Sequence, residues 1–321
     1  MIAVGHHIAR LRPCFLAKSN GLTHKVESKH MANIRLIQQI RSAISNLNPD
    51  DVRKVAERPI SIGLVASGSA GYAAMEDFLA PPDVSHEKRL EIMDMVHRAG
   101  EPGAPETFDL VLMEDHLPGR RNEFPFSADN PSRCIEPILT FREELGLPLA
   151  RHFPPFRKPV VDRIISQISK ENALFSLATA LPNIVPSLVS LPWSITEFAS
   201  DTAFLTVNQI RMAFLIGAAS DSGIGYREQK SQIASIIAGA FGWRALAREI
   251  VGKVPAGIGL VPKAAVAYAG TFVVGLSLER YHRFGYGLSK QERKEAYNWA
   301  FTEGKGVASL LLAGLRKVDA A

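Results

Sequence analysis

Two cysteines in 321 residues, Cys14 and Cys134, cannot build a disulfide framework or fill a zinc site by themselves, which fits a reducing compartment. No H-E-x-x-H and no paired C-x-x-C occurs. His86, His97, His116, His152 and His282 have no ligand-like spacing, so no metal site is expected. Missing too is any tight Lys/Arg run interleaved with aromatics, which makes nucleic acid a poor partner. Residues 1–30 contain no apolar run of signal-peptide length and read as a disordered basic tail. The periodic pattern begins at Met31, an alternative start to Met1. With 46% apolar and 21% charged side chains, the chain has the means to bury a core, which excludes disorder as its main state.

Charge is divided along the chain. The net +5 is made of +4 over residues 1–30, −7 over residues 31–150 and +8 over residues 151–321. An acidic stretch beside a basic one predicts either mutual docking or a surface role for the basic half, and an anionic membrane surface is the expected partner.

The acidic stretch reads as α/β. Asn48 and Pro49 predict the start of a short helix that Arg58-Pro59 ends. A strand, Ile60–Val65, a small-residue turn, Ala66–Gly71, and a helix, Tyr72–Leu79, follow. A second helix is expected at His86–Arg98 and a second strand at Phe108–Met113, running into Glu114-Asp115. Residues 117–137 read as loop. Strand–turn–helix units followed by a strand predict a small parallel domain over residues 31–150. From about Pro159 strand patterns vanish. Residues 172–196 carry no charge, and uncharged runs return at 231–243 and 264–278. Two readings of this half stand: buried helices of a soluble domain, or apolar hairpins at a membrane.

The turn after the first strand is the main candidate for chemistry. A phosphate-binding loop needs G-x-x-x-x-G-K-[ST], with backbone amides around phosphate, Lys on the outer phosphates and a hydroxyl on magnesium. Here Ala66 stands for the first Gly, Tyr72 for the Lys and Ala73 for the hydroxyl residue, while Gly71 is kept. Gly68, Ser69 and Gly71 remain as a weak site for an anion or nucleotide phosphate, with no cation and no metal ligand. Other readings of this turn are a defective dinucleotide fingerprint, a nucleophile elbow at Ser69, and a tight connection that binds nothing. Asp115-His116-Leu117-Pro118-Gly119 has one residue too many for a GTPase switch, and no N/T-K-x-D segment for guanine is present.

The basic half contains Glu171-Asn172-Ala173-Leu174, Leu181-Pro182-Asn183-Ile184-Val185-Pro186, Asn208-Gln209-Ile210-Arg211-Met212 and Gly252-Lys253-Val254-Pro255. With these segments it resembles, over roughly residues 155–290, the bacterial domain of unknown function 697 family. The resemblance implies a helical domain at 151–321, following an Era-like GTPase domain whose place here is taken by residues 31–150. It implies α/β plus all-α architecture, a P-loop-like first domain, and association with the bacterial inner membrane from the cytoplasm. It implies no catalytic activity and no cofactor. The leading expectation is a non-catalytic, membrane-associated scaffold or accessory protein with a pseudo-GTPase-like first domain and a possible protein partner. Two alternatives stay open: a nucleotide-binding GTPase-like protein using the degenerate loop, and a soluble helical interaction module.

Polar residues within the apolar half also raise expectations. Glu197, Asp201, Asn208 and Arg211 fall within about 80° of one another on a helix, as a seam between helices or as a solvated face. Gly252–Pro262, with Lys253 and Lys263, reads as a turn or an interfacial anchor. Ser289-x-x-Glu292 predicts a capping box.

Overall fold

In the computed structural model the described residues are 38, 40, 44, 47–117, 122–180, 201–239 and 259–319. The basic tail, residues 181–196, Glu197 and residues 252–258 lie outside them, as do Pro118 and Gly119.

Helix α1 (Pro49–Ala56) starts where Asn48 Oδ1 accepts the Asp50 amide at 3.1 Å. Four short strands follow: β1 (Ile62–Val65), β2 (Val96–Arg98), β3 (Leu110–Glu114) and β4 (Glu123–Phe126). They form one all-parallel sheet in the order β2-β1-β3-β4. Between β1 and β2 lie α2 (Ser69–Leu79) and α3 (His86–Met93). Ile62 and Leu64 of β1 and Leu110 and Leu112 of β3 are fully buried, which is why these strands read as continuous apolar runs.

The sheet departs from the sequence reading in three places. The helix expected to reach Arg98 stops at Met93, and Val96–Arg98 instead pairs with Ile62–Leu64. Such pairing over thirty residues leaves no mark in local periodicity. The loop expected at 117–137 contains β4, whose Phe124 and Phe126 enter the core. Pro125 is tolerated because β4 is an edge strand, where a missing N–H breaks no ladder. Finally, α2 begins at Ser69, three residues before the expected start.

Beyond the sheet the described residues are mainly helical: α4 (Ile135–Phe141), α5 (Gly146–His152), α6 (Pro154–Ala178), α7 (Asp201–Ala219), α8 (230–239), α9 (Leu260–Phe284) and α10 (Lys290–Asp319). One cluster of buried side chains runs from Leu64 through Phe153 and Phe156 to Phe214 and Leu278, so sheet and bundle share a core. Helices α6 and α7 run antiparallel, with Phe175 stacked on Phe204 at 3.7 Å and Glu171 beside Arg211. Antiparallel to α6 runs α9 as well, Asn172 meeting Thr271 and Ile165 meeting Gly275. A Cβ on Gly275 would stand 2.7 Å from Ile165, so this crossing needs glycine. Helix α9 ends at Gly285 in the left-handed conformation, φ 81°. The capping box forms at the start of α10: Ser289 N–H donates to the Glu292 carboxylate at 2.9 Å, and Glu292 N–H to Ser289 Oγ at 3.3 Å.

Candidate functional site

In an open parallel sheet, ligands bind beyond the carboxyl ends of the strands, where the strand order reverses. Here that point lies between β1 and β3, and the β1–α2 turn occupies it. Gly68 is the N-cap of α2 in extended conformation, exposed and with open space beside it. Ser69 is the first helical residue and is exposed. Gly71, one turn in, is half-buried, and a Cβ there would lie 2.8 Å from Ala66 Cβ and 3.1 Å from the Glu114 carboxylate. The three predicted residues therefore adjoin one another at a helix start that no side chain caps.

The anion in this place belongs to the protein. Glu114, the last residue of β3, accepts the Ser67 amide and the Ser67 hydroxyl, both at 2.7 Å on one oxygen. Those two hydrogen bonds, chiefly the hydroxyl's, hold the Glu114 carboxyl below its ordinary pKa. His116 Nε2 lies 3.9 Å from the same carboxylate. Tyr72, at the position of the loop lysine, carries Arg98 over its ring at 4.9 Å. Arg98 is in turn paired with Glu76 at 2.9 Å, so its charge is already answered. An incoming phosphate would meet the carboxylate of Glu114, with Tyr72 in place of a lysine to offset its charge. Sequence reasoning missed Glu114 as a partner of the turn, although it saw the strand run into acidic residues.

A second polar constellation lies inside the bundle. Asn208 and Arg211 face inward and meet Glu171, at 3.1 Å and 2.9 Å. Asn172 donates to Thr271 at 2.7 Å and accepts from Asn208 at 2.9 Å, and Gln209 also reaches Thr271. Of the seam's two readings the interhelical one holds for Asn208 and Arg211, with Glu171 as the acid. Of Asp201 only the backbone is described. This arrangement fixes the register of three helices and offers no reacting geometry.

The third feature is the end of the bundle where α6 finishes and α7 and α9 begin. Ala173 and Leu177 pack there on Ala264 and Tyr268, joined from α10 by Ala308 and Leu312. Leu260, Val261, Leu311 and Leu315 are half-buried on this cluster, while Leu310 is 76% exposed. Among the described residues two helices are long and apolar enough to cross a membrane: residues 202–219, mean hydropathy 1.2, and residues 260–284, mean hydropathy 1.4. The first window is 78% buried within the protein and the second 56%, so α7 is sheathed by its neighbours and α9 less so. Among the described residues no group of three or more His, Cys, Asp or Glu side chains is placed to hold a metal ion.

Neither family models, nor curated proteins, nor solved structures give a match to this chain.

Proposed function

We propose that this protein is a non-catalytic, membrane-associated scaffold, attached through one end of its helical bundle, with residues 31–150 as a phosphate-loop-like domain that has lost its ligand. The observation that carries the reading is the segregation of the bundle. At one pole Leu260, Val261 and Leu311 gather on Ala173, Leu177 and Tyr268 beside the exposed Leu310, and the uncharged run 172–196 of the sequence starts there. Apolar side chains at such an edge bind an interface, and nearby Lys or Arg add roughly 1 kcal/mol each on an anionic surface. The sheet, with Glu114 seated at the turn, stands toward the other pole, where His282 of α9 meets Ser222. Loss of the loop lysine and hydroxyl, and the carboxylate over the turn, support a partner surface in place of hydrolysis.

The test is flotation of full-length protein with vesicles containing phosphatidylglycerol, together with fractionation of expressing cells. Co-flotation and recovery with membranes are expected. Release by high salt would assign attachment to charge, and retention through carbonate to embedded helices. Protein that neither floats nor fractionates with membranes refutes the proposal. Leu310→Glu is expected to weaken flotation several-fold, because it places a charge on the most exposed apolar residue of the pole.

A further inference from the structure

A groove opens on the side of the bundle between α8, the C-terminal half of α9 and the start of α10, with a volume of about 330 Å³. That lies within the range of roughly 300–1,000 Å³ typical of small-molecule sites. Ile236, Val273 and Leu278 line it as buried apolar side chains, and Val274 flanks them half-buried. Such a lining is poorly wetted and gains by taking up a hydrocarbon. The opening is polar on one side: Tyr281 and Arg293 stand there.

Charge decides the kind of occupant. Among the described residues Arg293 pairs with no carboxylate. The acid next to it, Glu292, is taken by Arg280 and by the Ser289 amide. Lys290, three residues before Arg293, shares its side of the first turn of α10. The groove thus joins an apolar floor to a mouth that carries the cation of Arg293. We propose that it binds a single-chain amphiphile with a carboxylate head, of the fatty-acid class, the chain along Val273, Val274 and Ile236 and the head on Arg293. The inference does not depend on the membrane reading, since the groove lies on the flank of the bundle and not at its apolar pole.

The experiment is a titration of the full-length chain with dansyl-undecanoic acid, followed by emission, with decanoic acid and decanol as competitors. Saturable binding is expected, displaced by decanoic acid and about tenfold less well by decanol, the difference a charge-assisted hydrogen bond supplies. Arg293→Gln is expected to remove that preference for the acid, and Val274→Trp, which fills the groove, to abolish binding. Because Val274 also touches the core, Ser235→Trp at the exposed rim serves as a second block, with circular dichroism as the check on folding. Absence of saturable binding, or binding unchanged in folded forms of both tryptophan variants, overturns the site. Equal displacement by the alcohol overturns the carboxylate head. Both variants should float with vesicles as the parent does, so failure here and failure of the membrane reading are told apart.

Discussion

The β1–α2 turn and the bundle seam solve one problem in opposite surroundings. Each has polar groups that need partners, and each finds them in side chains far along the chain. At the turn Glu114 reaches Ser67 across 47 residues in an exposed setting. In the seam Asn172 reaches Thr271 across 99 residues, and both are fully buried. Water can replace Glu114 if it leaves, so its contact closes a site without holding the fold. Asn172 and Thr271 are shut away from solvent, so loss of the asparagine leaves buried groups unsatisfied. The same chemistry therefore weighs lightly on the fold at one place and heavily at the other, and burial makes the difference.

The sharpest way to break this comparison is Asn172→Leu. The substitution keeps the branching and the number of side-chain heavy atoms but removes the donor to Thr271 and the acceptor for Asn208. A loss of about 3 kcal/mol is expected, seen as a lower urea midpoint with unchanged m-value. A loss below 1 kcal/mol would mean that the seam is no more demanding than the exposed turn.

Gly71→Val tests the other side. Its new Cβ would press on Ala66 and the Glu114 carboxylate. Overpacking of this kind costs about 1.5 kcal/mol here, near the low end because the half-buried Glu114 side chain has room to swing away. The Ser67 amide should then exchange faster with solvent than in the parent, while amides near Asn172 keep their rates. Unchanged exchange at Ser67 would mean that the carboxylate does not hold the turn.

What the sequence disclosed follows the same division between local and distant. Asn48 at α1 and the Ser289–Glu292 box were legible because cap and helix lie within three residues. Strand β1 and the parallel class were legible from a continuous apolar run between turns. Strands β2 and β4 were not, since Val96–Arg98 and Glu123–Phe126 are strands only by pairing with partners elsewhere. The turn was found from its glycines and serines, and its missing lysine was evident at Tyr72. Its occupant was not, because nothing within a window around Gly68 points to Glu114. Arg211 likewise was legible as part of an interhelical seam, but its acid is Glu171 of α6, which the seam read from the sequence did not include.

The smallest expected effect belongs to a contact both local and exposed, and it tests whether burial is the deciding variable. In the capping box, hydrogen bonds from Ser289, backbone first, and then Arg280 lower the Glu292 carboxyl from 4.5 to about 2. As pH falls, the unfolded chain takes up this proton before the folded one. The box's contribution is therefore complete above about pH 4.5 and disappears toward pH 2. Glu292→Gln keeps the shape and removes the charge. Its melting temperature should sit slightly below the parent's at pH 7, and the two curves should converge as pH approaches 2. A gap that stays constant over that range would show that the glutamate acts through packing instead of charge. A gap as large as that of Asn172→Leu would show that exposure does not discount such contacts in this fold.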